Sequence, residues 1–408
     1  MKTLHKKCAG LDVHKKEVVA CLRLVIRGEA TYEVRRFATT TRGLIELADW
    51  LEQAGCTHVA MEATGVYWKP VWHMLEGRFQ QILANAAHIK GVPGRKSDMN
   101  DATWIADLLA HGLIRASFVP PQPIQELRDL TRTRKQLSRE IVQHTQRIQA
   151  VLEEANVKLS SAITDILGAS GRRILKAIVA GETDAAKLSE LGSPRLAATK
   201  SELSDALLGR VRPHHQFLIG QHLKTIEQLE ETIAAFNARI EAALAPFRDA
   251  VERLKEVPGL SETSAQILIA EIGTDMRQFP TAGHLLSWAG LIPRLDESAG
   301  KRRSSRVRKG APWLKPVLVQ CAWAAARKKN SYFQAQFLRL KARCGPKKAA
   351  VAVAASILTT AYYMLADGTC YQDLGADHFA RHDPARAAAK LATRIRNLGF
   401  NVEIRPVA

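Results

Sequence analysis

Cysteine is scarce and scattered in this chain. Its 408 residues hold six, Cys8, Cys21, Cys56, Cys321, Cys344 and Cys370, with no CxxC pair and no histidine at ligand spacing. That pattern excludes the common thiolate zinc centres and a disulfide framework, and it leaves reduced, mostly buried thiols. An export signal is also missing, because "MKTLHKKCAGLDVHKK" has no apolar core and no small-residue cleavage site; a cytoplasmic protein is expected. The longest apolar run, "AAVAVAASILTTAYYMLA" at 349–366, approaches the length of a membrane span. Its alanines, threonines and tyrosines read instead as a buried helix of a globular protein, so no membrane partner is expected. Acidic residues are in deficit, 40 Asp plus Glu against 59 Lys plus Arg, for a formal charge of +19. Such an excess favours a polyanionic partner, nucleic acid before an anionic membrane surface.

The length is sufficient for two or three domains. "CAGLDVHKKEVVAC" places two short apolar stretches around a charged centre, and "TYEVRRFATT" follows with strand character, so a β-meander opens the chain. Leu44, Leu47, Leu51 and Ala54 then fall at helical spacing between a threonine cap and Gly55. "THVAMEATG" reads as a strand, "VYWKPVWHMLEG" as a helix and "FQQILANAA" as another strand. These alternations predict a mixed α/β domain over 1–118, closed by the breaker "VPPQP".

Beyond it, Leu127, Leu130, Arg134, Leu137, Ile141, His144, Ile148 and Val151 fall at steps of three and four. So do Ile219, His222, Ile226, Leu229, Ile233, Phe236, Ile240 and Ala243. The two series predict an antiparallel coiled-coil hairpin or oligomerisation arm over 119–248, with a helical insertion at 156–212. Arg134, His144 and His222 on the seams read as register residues rather than ligands. A mainly α-helical domain is expected over 249–368. It opens with "VPGLSETSAQILIAEIG", which resembles a helix-hairpin-helix element able to hold a phosphate. It continues through the basic loop "LIPRLDESAGKRRSSRVRKGAPWLK" into apolar helices at 313–327 and 347–366. The tail, 369–408, is basic and reads as a solvated face, or alternatively as a nucleic-acid contact.

Four carboxylates stand out. Asp12 ends the first strand within "GLDVHK", Glu62 ends a later one within "AMEATG", and Asp98 and Asp101 open a helix within "KSDMNDATWIADLL". Taken singly, each has a structural reading: Asp98 a helix N-cap, Asp101 a partner of the helix dipole, Asp12 and Glu62 surface acids. Together in a basic protein they form a hard-oxygen set suited to a pair of Mg²⁺ ions, with Mn²⁺ as an alternative. Two such ions about 3.5 to 4 Å apart can hold and polarise a scissile phosphate.

These stretches carry a family resemblance. "GLDVHKKE", "AMEATGVYW" and "KSDMNDATWIADLL" resemble the DEDD domain of IS110-family transposases. "VPGLSETSAQILIAEIG", "FPTAGHLLSWAGLIPR" and "SAGKRRSSRVRKGAPWLKPVLVQCAWAA" resemble that family's C-terminal transposase domain. The blocks stand in the family's order, over residues 8 to about 115 and 250 to about 366. The resemblance implies an RNase H-like, RuvC-like N-terminal domain with Asp12, Glu62, Asp98 and Asp101 as the metal tetrad, while Asp107 reads as structural. It also implies a catalytic serine in the C-terminal domain, at the position of Ser298. The usual Ser-Gly is interrupted here as Ser298-Ala299-Gly300, which leaves Ser304 and Ser305 as further candidates, and "RVRKG" departs from the Ser-Lys found before that glycine in relatives.

A serine hydroxyl needs activation before it attacks. Lys96, Lys301, Arg302, Arg303, Arg306, Arg308 and Lys309 are the expected nucleic-acid contacts, able to bind phosphates and the charge developing on them. The implied activity is that of a site-specific DNA recombinase or transposase of a mobile element, working through a phosphoserine–DNA intermediate. Its implied partners are element-end and target DNA, a structured guide RNA and further copies of itself as a dimer or tetramer, in the bacterial cytoplasm near the nucleoid. A RuvC- or RNase H-type nuclease with water as nucleophile is the alternative. No RNA-recognition signature is present, and a basic surface does not separate RNA from DNA.

Overall fold

The computed structural model describes residues 3–63, 65–86, 89, 101–293, 296–298, 300–304, 306–308, 310–382 and 384–405, with backbone alone at 296–298 and 302–304. Contacts divide the chain into two units, Met1–Val119 and Pro120–Ala408.

The first unit is built on one mixed sheet. β1 (Lys7–Val13), β2 (Glu17–Ile26) and β3 (Glu29–Ala38) form the expected antiparallel meander. α1 (Thr41–Gln53) then crosses to β4 (His58–Glu62), and α2 (Trp68–Leu75) leads to β5 (Gln80–Ala84). β4 lies parallel to β1 and β5 parallel to β4, giving the order β3-β2-β1-β4-β5. Thr40 caps α1 by accepting a bond from the Gly43 amide, and Gly55 follows the helix at φ +68°.

Strand alternation sends successive side chains to opposite faces. Ala9, Leu11 and Val13 of β1 therefore join Val59 and Met61 of β4 in a core with Leu44, Leu47 and Leu51 of α1 and Leu75 of α2. Cys8, Ala60 and Ala84 face the other way and pack on Ile105, Leu108 and Leu109 of α3 (Asp101–Ala110). The central strands β1 and β4 are thus buried on both faces, whereas β3 at the edge is exposed along most of its length. Burial also pushes the Cys8 thiol up to about 12, as expected of an inert core cysteine. On the α3 face, Arg23 is 4% exposed and donates to Asp107 at 2.9 Å, while the Tyr32 hydroxyl donates to the same carboxylate at 2.6 Å. Asp107 therefore neutralises a buried cation.

The second unit opens with α4 (Gln122–Glu154) and returns through α9 (Pro213–Leu244). The two run antiparallel: Arg134 Nη1 donates to Asn237 Oδ1 at 3.0 Å near one end, and His144 Nδ1 lies 3.1 Å from His222 Nδ1 further along. The two histidines thus meet across the helix pair, while Arg134 also donates to Gln266 Oε1 of the later helix Glu262–Ile272 at 2.9 Å. Between the long helices, α5 (Leu159–Ala162), α6 (Ala169–Val179), α7 (Ala185–Glu190) and α8 (Lys200–Leu207) gather Leu159, Ile174, Leu188 and Leu203 into a core shared with Ile148 and Ile219.

The remaining elements are α10 (Arg248–Lys255), α11 (Glu262–Ile272), α12 (Ala282–Ala289), β6 (Asp296–Ser298), β7 (Lys301–Ser304), α13 (Leu314–Ala325), α14 (Tyr332–Cys344), α15 (Pro346–Asp367), α16 (His378–His382) and α17 (Pro384–Arg396). One salt-bridge cluster ties α4 to α11. Glu271, 1% exposed, accepts two bonds from Arg132 at 2.7 and 2.8 Å, and Arg128 donates to its backbone carbonyl at 2.6 Å. Burial draws the Arg128 pKa down to about 10. α15 is long and apolar enough to cross a membrane, yet Ala350, Val353, Ala354, Ile357, Leu358 and Ala361 are buried within the protein, and Tyr362 on it donates to the Phe279 carbonyl at 2.9 Å.

In the "VPGL" turn between α10 and α11, a Cβ on Gly259 would sit 2.2 Å from the Cys321 carbonyl oxygen, so α13 is packed against one side of the turn. The basic loop around Ser298 is folded as a hairpin of β6 and β7, which turns at Gly300, at φ +73°.

Gly10 offers a direct test of the first unit. A Cβ there would lie 2.2 Å from the Ala102 carbonyl oxygen and 2.4 Å from the Ala106 nitrogen, both backbone atoms. Gly10→Ala should cost about 1–3 kcal/mol, measured as faster hydrogen exchange of the β1 and α3 amides; unchanged exchange would contradict this packing.

Candidate active site

The acids of the first unit are positioned by strand register. Leu11 pairs with Met61 across the parallel β1–β4 ladder, so Asp12 and Glu62, one residue further on, lie level at the carboxyl ends of their strands. Asp12 follows Gly10 by two residues and Glu62 follows Ala60 by two, which puts both on the face that α3 covers. α3 runs antiparallel to β1: its first turns cross Gly10, and at its far end the Ala110 carbonyl accepts from the Leu4 amide at 2.8 Å. Its N-terminus, beginning at Asp101, therefore lies at the same end of the sheet as Asp12 and Glu62.

Asp12, Glu62 and Asp101 are each half-buried. His14 Nε2 lies 3.1 Å from Asp12 Oδ2, within hydrogen-bond reach of that carboxylate. Sequence reasoning missed His14, although it stands two residues after Asp12 in "DVHKKE". A cavity of about 650 Å³ lined by His14, Lys15, Lys16, Glu17, Arg36, Phe37 and Ala38 opens at the same β1–β2 turn. Three lysine and arginine side chains there suit an approaching phosphate chain.

Among the described residues, no three Asp, Glu, His or Cys side chains are drawn close enough together to hold a metal ion. Asp98, the fourth expected ligand, lies outside the described residues, as do Lys96, Ser305 and Lys309. The donor set nevertheless fits a hard divalent cation, since every member is a carboxylate and three share one end of one sheet face.

The second candidate centre is the β6–β7 hairpin. Ser298 pairs with Lys301 across the turn, Glu297 with Arg302 and Asp296 with Ser304, and a Pro293–Val307 bridge continues the pairing toward the base. Ser298 is thus the last strand residue before the tip, flanked along the partner strand by Lys301, Arg302 and Arg303; Lys301, Arg306 and Arg308 are exposed. Two glycines hold the base together. A Cβ on Gly290 would meet Gly310 Cα at 2.5 Å, and one on Gly310 would meet the Ala289 carbonyl oxygen at 2.3 Å. Lys315 Nζ adds a bond to the Arg308 carbonyl at 2.7 Å. Nearby, the guanidinium carbons of Arg132 and Arg139 lie 5.5 and 5.4 Å from the centre of the Trp313 ring, tying the segment after the hairpin to α4.

Comparison with known proteins adds two family matches and two relatives. A family model for the IS110 DEDD transposase domain matches residues 9–157, a span that contains Asp12, Glu62, Asp98 and Asp101. A second, for transposases of the IS116/IS110/IS902 family, matches residues 251–338 and contains Ser298 and its basic neighbours; together the two cover more than half of the chain. A "Probable family 20 transposase" of Pseudomonas aeruginosa is 27% identical over 286 residues, 69% of this chain and 75% of that protein. An "Insertion element IS110 uncharacterized 43.6 kDa protein" of Streptomyces coelicolor is 31% identical over 154 residues, 36% of this chain and 35% of its own.

A thermal-shift series checks the carboxylate set without relying on turnover. Added Mg²⁺ or Mn²⁺ should raise the unfolding midpoint, each tenfold excess over Kd adding about 1.4 kcal/mol. Asp12→Asn and Glu62→Gln should abolish the increase, whereas an increase that persists in both would place the ion elsewhere.

Proposed function

Because the chain belongs to the IS110 family of transposases, and so acts on DNA in transposition, we propose that it breaks and rejoins DNA with two sets of its own residues, one in each unit. The first unit carries the family's RuvC-like DEDD domain, in which Asp12, Glu62, Asp98 and Asp101 hold a divalent ion, Mg²⁺ or Mn²⁺. The second supplies Ser298 as nucleophile. The observation that supports this reading is that Asp12, Glu62 and the start of α3 at Asp101 lie at the same end of one sheet face. A domain division at 1–118, 119–248, 249–368 and 369–408 completes the proposal.

When bound, the ion supplies Lewis-acid polarisation of the scissile phosphate and neutralises its charge. The four carboxylates fix where that phosphate lies, and Lys301, Arg302, Arg303, Arg306, Arg308 and Lys309 grip the flanking backbone. Lys96 contributes a further cation just before the acidic helix. Ser298 Oγ gives up its proton and bonds to phosphorus while the bond from phosphorus to a deoxyribose oxygen breaks and that oxygen takes up a proton. The product is a phosphoserine diester, which keeps one phosphodiester bond for each one broken. A deoxyribose hydroxyl of the other DNA then reverses the step and rejoins the strands without a high-energy cofactor.

The α4–α9 pair brings the serine unit of one subunit to the acidic unit of another, in a dimer or tetramer, so that assembly gates cutting. A structured guide RNA selects the donor and target sequences by pairing, and the +19 charge serves both nucleic acids. The protein works in the cytoplasm, at the nucleoid.

The test is a denaturing gel of protein, guide RNA, labelled element-end DNA and Mg²⁺. A protein-linked DNA band present in wild type and lost in both Ser298→Ala and Asp12→Ala is the expected result. Cleavage that survives Ser298→Ala but not Asp12→Ala would instead identify a metal nuclease that uses water.

A further inference from the structure

The segment that leaves β4 at Glu62 carries three aromatic residues before the end of α2, Tyr67, Trp68 and Trp72, and the fold uses only two of them. Trp68 and Trp72 pack against the core of the first unit, edge to face with ring centroids 6.0 Å apart. Val71 and Leu75 form the buried part of α2. Tyr67, 41% exposed, and Val66, 65% exposed, stay outside that core. Among the described residues, no hydrogen bond or ring contact engages Tyr67.

Tyr67 adds nothing to the start of the helix either. It occupies the N-cap of α2, a position where Ser, Thr, Asp or Asn would accept a backbone amide bond, and its side chain makes no such bond. Single apolar side chains on a surface are ordinary. Two in succession, beside a set of carboxylates, call for a ligand.

The place of the pair says which ligand. Glu62 ends β4 level with Asp12, at the end of the sheet face where α3 begins. The chain then turns at Gly65, φ +54°, and Tyr67 is the fifth residue after Glu62. Five residues at full extension span at most about 18 Å, the length of about five nucleotides along one strand. A phosphate held at Glu62 therefore brings bases of its own strand within reach of the Tyr67 ring. An exposed ring gives any base a stacking surface, because every base has a π-face, and an apolar neighbour such as Val66 gives an unstacked base an edge to rest against.

We propose that Tyr67, with Val66 beside it, stacks on an unpaired base of the DNA strand whose phosphate the acidic site holds. This rests on the reading of the protein as one that acts on DNA through Asp12, Glu62, Asp98 and Asp101, and it adds a contact that fixes the strand next to the scissile phosphate. Stacking is indifferent to base identity, so Tyr67 sets the position of the strand and leaves sequence choice to other contacts.

The test uses the full-length protein, Mg²⁺ and a set of synthetic forked DNA duplexes in which 2-aminopurine occupies each unpaired position in turn. Fluorescence of 2-aminopurine falls when the base stacks, and the anisotropy of a fluorescein at the far end reports binding separately. Wild-type protein should quench at one position or more. Tyr67→Ala should abolish that quenching and weaken binding of the fork roughly five- to a hundredfold, with binding of a blunt duplex unchanged. Tyr67→Phe and Tyr67→Trp should retain both signals, which separates loss of a stacking ring from loss of the fold. Wild-type binding without quenching at any position, or quenching that persists in Tyr67→Ala, would overturn the proposal. So would an effect of Tyr67→Ala confined to an RNA fork, or a fall in the oligomer's mass by light scattering with the DNA quenching intact, which would make Tyr67 a subunit contact. Wild-type protein that binds neither forked nor blunt DNA would contradict the reading of a DNA-acting protein itself, and this proposal with it.

Discussion

Residue 10 has no side chain, and the acidic site depends on that. With nothing projecting from the centre of β1, the backbone of α3 lies directly against the strand. That contact sets the distance between helix and sheet, and the antiparallel run of α3 sets which end of the helix meets the carboxyl ends of β1 and β4. Asp12 and Glu62 are level because β1 and β4 are parallel, and Asp101 joins them because α3 starts at that end. Buried Arg23, neutralised by Asp107, which also accepts from the Tyr32 hydroxyl, secures the other part of the same helix. An acid pair, a helix start and a close packing contact thus act as one unit, in which the glycine supplies proximity and the carboxylates supply charge.

The second unit uses the same device around its serine. Gly290 and Gly310 let two chain segments pass at near-contact distance, so the β6–β7 hairpin rises from a closed base. Farther back, Glu271 accepts from Arg132 and draws Arg128 to its backbone, fixing α11 to the long helix α4. A fully desolvated carboxylate is tolerable here because two guanidinium groups satisfy it. The chemistry proposed for Ser298 needs such a frame, since a flexible basic loop would bind phosphate without aiming an oxygen at phosphorus.

Much of the first unit was legible in the sequence because its strands alternate cleanly: Ala9, Leu11 and Val13 against Cys8, Gly10 and Asp12. The acids could be singled out because a carboxylate at a strand end has little to gain from packing. What periodicity could not show was that Gly10 brings α3 close, since a missing side chain leaves no pattern. The long helix pair was legible from steps of three and four, and Arg134, His144 and His222 were readable as seam residues because each interrupts an otherwise apolar series. The hairpin around Ser298 was not, because "DESAGKRRS" is uniformly polar and its strands are defined by backbone pairing. Helix α14 also escaped, since only Phe333 and Phe337 of its thirteen residues are buried, and Leu338 is exposed.

The central claim is that one strand-exchange reaction draws on carboxylates from one unit and a serine from the other, shared between subunits. Its most direct measurement mixes an Asp12→Ala protein with a Ser298→Ala protein, each inactive alone, under conditions where heteromers form and are verified by tagged pull-down. Recombination activity that reappears in the mixture is the predicted result. A mixture that stays inactive while its heteromers are demonstrably present would contradict the account.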